Sequence, residues 1–284
     1  MMLKKIYKGG LVDAHLHLRD KPGGFKTHPL QHDPKTPIEN VHYWSAAAAV
    51  EQLLLEMSSC NVGHAVVLHL LWQPWSVEEV SQAIASQPAL TGFLNIDPLA
   101  PRAIDDVNKG FDLGFRGLKL HPRIQCYRPD DPACIAVARR AGDLGMPVLL
   151  DCFPDGDWLM AGLNVLQYAT LARQSPDTTV IVAHAAGHHC LDLLMLAKRV
   201  KNLWFDISYS LLYYGSSVTE AIFYAMESIR YERVLFGTDY PDRSLGTSVE
   251  KSLELMDKFG VCGEAREKLL WKNALELLKL KPSV

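Results

Sequence analysis

The chain has 284 residues, 48% of them hydrophobic, and a formal net charge of −3. This is enough apolar material for a large core, and it offers no basic footprint for nucleic acid and no charged tail. No apolar run approaches the roughly 20 residues of a membrane span, and six cysteines without a CxxC pair fit reduced thiols better than a disulfide frame.

The N-terminal Met1-Met-Leu-Lys-Lys-Ile-Tyr-Lys is positively charged but lacks the apolar core of a signal segment, so the expected location is cytoplasmic. A first strand is predicted over 10–16, within Leu11-Val-Asp-Ala-His-Leu-His-Leu. Side chains alternate across a strand, so His15 and His17 share a face. Two imidazoles at a strand end make half of a metal site, of a kind suited to zinc, iron, nickel or copper. The proline-rich stretch 18–43 follows and reads as a substrate lid. Further strand-like runs fall near 62–70, 90–97, 115–121, 146–152, 179–185, 202–208 and 233–238. Helical patterns fill the intervals at 45–60, 76–87, 101–113, 131–144, 158–174, 188–200, 216–230 and 247–259, and an amphipathic stretch at 264–280 closes the chain.

The strands are rich in Val, Leu and Ile and nearly continuous in apolarity, as parallel strands buried on both faces should be. Alternating strand and helix units without an internal linker predict an α/β fold, a (β/α)8 barrel forming one domain over residues 1–284. Every strand of such a barrel ends at the same face. Polar residues at strand ends therefore converge: His15, His17, Lys119, His121, Asp151, His184, Asp206, Ser208 and Asp239.

The runs Val12-Asp-Ala-His-Leu-His, Gly114-Phe-Arg-Gly-Leu-Lys-Leu-His-Pro, Val182-Ala-His-Ala-Ala-Gly and Phe236-Gly-Thr-Asp-Tyr-Pro resemble the amidohydrolase superfamily. The tail Lys268-Leu-Leu-Trp-Lys-Asn-Ala-Leu-Glu-Leu-Leu extends the resemblance, which is nearest the branch containing aminocarboxymuconate-semialdehyde decarboxylase. It implies that His15, His17 and Asp239 bind a divalent metal and that His184 ligates it or polarises the substrate. One departure matters: relatives carry a histidine where strand five here has Asp151. A carboxylate is an acceptable ligand, so the expected set is His15, His17, Asp151, His184 and Asp239 around one ion, zinc first, with manganese or iron as alternatives.

Such an ion lowers the pKa of water to about 7, with Asp239 taking the proton and His184 stabilising the developing oxyanion. The expected activity is metal-dependent hydrolysis of an amide, lactone or related carbonyl compound. The alternatives are non-oxidative decarboxylation of a small acid at the same site, or an inactive barrel that binds a small carboxylate. The expected partner is a small-molecule substrate, with no nucleic acid and no membrane, and a homo-oligomer is left open. Arg19 shares strand parity with the two histidines and is expected, with His121, to bind substrate. Asp13-Ala-His-Leu-His-Leu-Arg-Asp also resembles the dihydroorotase signature, although its later elements match poorly. Lys119 is expected to be an ion-pair partner rather than a bridging ligand. His69 stands as a second-layer candidate, Trp72 and Trp75 as packing residues near the pocket, and His64, His188 and His189 as structural or exposed.

Overall fold

The computed structural model describes residues 10–21 and 43–280. Eight parallel strands pair in sequence order: β1 (Leu11–Leu16), β2 (Val62–Leu68), β3 (Leu90–Asn95), β4 (Gly117–Leu120), β5 (Val148–Leu150), β6 (Val180–Val182), β7 (Leu203–Asp206) and β8 (Val234–Leu235). The ring closes past the end of β8. Ala14 N donates to Phe236 O at 2.8 Å, His17 N to Tyr240 O at 2.7 Å, and Asp239 N to His15 O at 2.8 Å. The expected single-domain (β/α)8 barrel is thus observed.

The strands are buried on both faces, which is why their sequences read as apolar runs rather than alternations. One set of side chains, including Val12, Ala14, Val66, Phe93, Leu149, Ile181 and Leu235, fills the barrel interior. The other set, including Leu16, Val67, Leu118, Leu120, Val148 and Val182, packs against the surrounding helices. The C-terminal stretch expected at 264–280 is helical from Gly263 to Leu277, with a π-helical turn at Lys268–Lys272. Its Ala274 and Leu275 join the interior cluster, and Asn273 donates to the carbonyls of Tyr231 and Val234, both at 2.8 Å. This segment therefore stoppers the end of the barrel remote from His15.

Two expected elements differ. The helix expected over 158–174 is two, Gly156–Met160 and Val165–Gln174, each with its own N-terminal cap, Asp155 and Asn164. Gly162 breaks them apart at φ +69°, where a glycine costs no Cβ clash. Strand six, expected to reach residue 185, stops at Val182. His184, Ala185 and Ala186 then take φ of 59°, 49° and 54°, a left-handed turn that alternation cannot foresee. The expected lid at 18–43 falls mostly outside the described residues. No helix among the described residues is long and apolar enough to cross a membrane.

Candidate active site

The site begins with an irregularity in β1. Asp13 pairs with Ala65 but Leu16 with Val67, so three steps on β1 match two on β2. Such a bulge re-aims the side chains beyond it. Ala14 faces the interior below it, while His15 and His17 line the cavity above and Leu16 turns outward. Gly237, after β8, makes room: a Cβ there would lie 2.6 Å from His15 Cβ. Asp13 locks the junction by accepting from His15 N at 3.1 Å, Thr238 N at 3.0 Å and Thr238 Oγ1 at 2.6 Å. Burial pushes its carboxyl up to about 7 against those hydrogen bonds.

Each histidine is oriented through Nδ1. His15 Nδ1 faces the Asp206 carboxylate and lies 3.0 Å from Ser208 Oγ, and His17 Nδ1 donates to Leu68 O at 2.9 Å. With the protons on Nδ1, both Nε2 atoms direct lone pairs at Asp239 Oδ1, each from 3.3 Å. The three atoms converge on one point, with the buried Lys119 Nζ 3.5 Å from His15 Nε2 as the neighbouring cation. Such a cluster calls for a positive charge, which a proton on His15 or a bound cation can supply, and two nitrogens with a carboxylate oxygen are a donor set for a divalent transition ion. The carboxylates around the cluster favour positive charge at its centre. Burial and Lys119 depress the His15 imidazole, yet Asp206 and Asp239 outweigh them and raise it to about 9. Burial likewise raises the Asp239 carboxyl, and His15, His17 and His184 overcome it, holding the group well below the usual carboxylate range.

The other half of the site is built around Asp151 at the end of β5. It lies 3.3 Å from His184 Nε2, 3.5 Å from His121 Nδ1 and 3.2 Å from Arg123 Nε. Burial raises its carboxyl, but these three cationic or cation-forming neighbours outweigh it and hold the group well below its ordinary range. His184 is carried into place by the left-handed turn after β6, its carbonyl held by Ser210 Oγ at 2.6 Å and its Nδ1 3.1 Å from Ser208 O. The His15 and His184 rings are 5.1 Å apart, so the two halves adjoin. Together they form the floor of a cavity of about 400 Å³ at the C-terminal ends of the strands, the face that carries function in this architecture.

The amidohydrolase family model matches residues 12–280. The chain belongs to the amidohydrolase family. The amidohydrolase fold is shared with a probable 2-pyrone-4,6-dicarboxylic acid hydrolase from Acinetobacter baumannii with citric acid bound: 14% identity, TM-score 0.65, 95% of this chain and 100% of that one. An uncharacterised TIM-barrel protein from Bordetella bronchiseptica is 24% identical, with TM-score 0.71, over 83% of this chain and 85% of that one. A 5-carboxyvanillate decarboxylase from Novosphingobium aromaticivorans, complexed with manganese and 4-hydroxy-3-methoxy-5-nitrobenzoic acid, is 16% identical with TM-score 0.60, over 81% and 80%. No curated protein matches the sequence.

In this amidohydrolase, His15, His17 and Asp239 form a compact three-residue group, their ligand-type atoms within 4.8 Å of one another. Asp151 and His184 pair with each other beside it. His121 lines the cavity, and so does Trp72, whose ring centroid is 5.4 Å from that of His121. Lys119 lies buried with Nζ 3.5 Å from His15 Nε2. Arg19 is placed elsewhere: it lies over the Tyr240 ring at 5.1 Å, with Glu56 at 3.7 Å, and is not among the cavity-lining residues. Trp75 is packed away, donating to Trp44 O at 2.8 Å, and His64 pairs with Thr91 at 2.8 Å.

Sequence reasoning missed Arg123 and the aromatic wall of Phe153, Tyr209 and Tyr213. Arg123 follows the strand-four His121-Pro122 pair, and the only signal nearby was a proline marking the start of a short helix just beyond the strand end.

Proposed function

We propose that the protein is a metal-dependent hydrolase in which His15, His17 and Asp239 hold one divalent ion. The observation that carries this is the meeting of two Nε2 lone pairs with Asp239 Oδ1 at 3.3 Å, both rings fixed by acceptors at Nδ1. Bound there, a zinc, manganese or iron ion would supply Lewis acidity, polarising a carbonyl and acidifying water towards neutral pH.

The chain's own residues supply the rest. Asp239 is held ionised and faces the cavity, so its carboxylate accepts the proton released by attacking water and returns it to the leaving group. His184, its Nε2 against Asp151 and its Nδ1 against Ser208, forms the wall beside which the carbonyl of an amide, lactone or related substrate would lie. Asp206 and Ser208 keep His15 in one tautomer, so that its Nε2 stays available. Asp151 is read as counter-ion to Arg123 and His184 rather than as a further ligand, because its carboxylate already faces three partners. Hydrolysis is preferred to decarboxylation of a small acid because the cations lining the cavity, Lys119 and Arg123, already stand beside carboxylates of this chain.

Element analysis of freshly purified protein tests the reading. The expected result is about one equivalent of zinc, manganese or iron, together with hydrolysis of an ester or lactone that chelation abolishes and added metal restores. Absence of any metal, with none taken up from added zinc or manganese, overturns it.

A further inference from the structure

Arg123 is the one guanidinium that lines the cavity among the described residues, and this chain's own carboxylates already engage it. Its Nε lies 3.2 Å from Asp151 Oδ2, its Nη2 3.5 Å from Asp151 Oδ1, and its Nη1 2.5 Å from Asp155 Oδ2. The guanidinium fork, the group best shaped to grip a ligand carboxylate, is thereby filled from within. The nearby arginines stand outside the cavity lining: Arg19 is 3.7 Å from Glu56, and Arg243 lies over the Tyr209 ring at 5.3 Å with its buried Nε left without a hydrogen bond. Lys119, the other cation of the lining, is buried beside His15 in the field of Asp151, Asp239 and Asp206.

Charge and shape narrow the ligand further. Among the described residues, Asp151, Asp155, Asp239 and Asp242 line the cavity against Lys119 and Arg123, so its carboxylates outnumber its lysine and arginine. The walls are flat and apolar. Phe153 meets Tyr209 at 5.1 Å and Tyr213 at 4.9 Å between ring centroids, and Leu70, Trp72 and Ile124 supply further apolar surface. A cavity of about 400 Å³ accommodates a one- or two-ring molecule.

The geometry points to an uncharged, flat ring substrate, with Asp151 and Asp155 standing on Arg123 where a substrate carboxylate would otherwise bind. This rests on the reading of the cavity as the substrate site and names the class of substrate it takes. An anionic ring of the same shape must displace Asp155 or lie unpaired beside it, and like charges so placed disfavour the complex.

Asp155→Asn tests this without dismantling the loop. Asp155 Oδ1 accepts from Trp158 N at 2.9 Å at the start of the helix Gly156–Met160, and asparagine caps a helix about as well as aspartate. Coumarin and coumarin-3-carboxylate, matched in shape and differing by one negative charge, are titrated into wild type and variant by calorimetry, with and without added manganese. Wild type is expected to bind coumarin about tenfold or more tightly than the carboxylate. The variant is expected to gain about tenfold for the carboxylate while coumarin binding stays within about threefold. Three outcomes overturn the proposal: wild type binding the carboxylate at least as tightly as coumarin, no gain in the variant, or no binding of either probe by either protein. Because binding and not turnover is read, the expected selectivity without hydrolysis of any lactone or amide refutes the hydrolase reading alone.

Discussion

At the scale of single residues, Asp239 and Asp151 are both buried carboxylates held well below their usual range, yet their neighbours give them different work. Asp239 faces the Nε2 atoms of His15 and His17, whereas Asp151 faces an arginine and two further histidines. Asp239→Asn keeps the volume and removes the proton acceptor, so turnover should fall by about 10²–10⁴-fold, measured as kcat/KM on whichever ester or lactone is hydrolysed. Asp151→Ala should leave the metal dissociation constant within a few-fold of wild type while lowering turnover; a large loss of metal affinity would make Asp151 a ligand after all. His64 offers a test away from the site. Burial lowers its imidazole from 6.5 to about 4 while Thr91 holds its Nε2 at 2.8 Å, so the folded protein binds fewer protons than the unfolded chain between those values. Stability from this group is therefore fully present above pH 6.5 and is lost as pH falls towards 4, at on the order of 1 kcal/mol per pH unit. Urea titrations of wild type and His64→Gln across that window should show the gap between them change below pH 6.5 and stay constant above it.

At the scale of elements, the site depends on two departures from regular strand geometry. The bulge in β1 lets Ala14 and His15 both contribute to the interior, and the left-handed turn after β6 swings His184 over the mouth. Strain of this kind, stored where the chain bears its polar side chains, points to function. The bulge is accommodated by a glycine on the facing segment. In Gly237→Ala the new Cβ would meet His15 Cβ at 2.6 Å and Asp206 Oδ1 at 3.1 Å. Overpacking of that sort costs about 1–3 kcal/mol, and here it acts on a proposed metal ligand and the carboxylate beside its Nδ1. Metal affinity should drop along with thermal stability, as read by calorimetry and by metal competition with a chelator.

At the scale of the whole molecule, the barrel separates stability from chemistry along its axis. The polar site occupies the C-terminal ends of the strands, while the opposite end is an apolar plug completed by the last helical segment. Leu275 belongs to that plug and is buried. Leu275→Ala should cost about 2–5 kcal/mol in urea unfolding while leaving metal affinity and KM unchanged, because nothing between the two ends rearranges. A matching loss of metal affinity would show that the ends are coupled.

The sequence by itself determined the architecture, because β-then-α periodicity, apolar strands and short connections leave few other packings for eight such units. It also determined which strand ends carry His15, His17, His184 and Asp239, since parallel strands must deliver their C-terminal residues to one face. Only the tertiary structure decided the partners of Asp151 and Arg19. Strand position says that a side chain reaches the mouth, but the partner depends on what the neighbouring loop places there. For Asp151 that partner is Arg123, three residues beyond the end of β4, and for Arg19 it is Glu56, on the helix Ala46–Ser59. Likewise, alternation gave His15 and His17 a common face, but which face it was turned on a bulge set by pairing with a strand some fifty residues away. Local periodicity fixes elements because it is carried by neighbours in the chain. Charge pairing and backbone irregularity belong to contacts between distant segments, and no single segment encodes them.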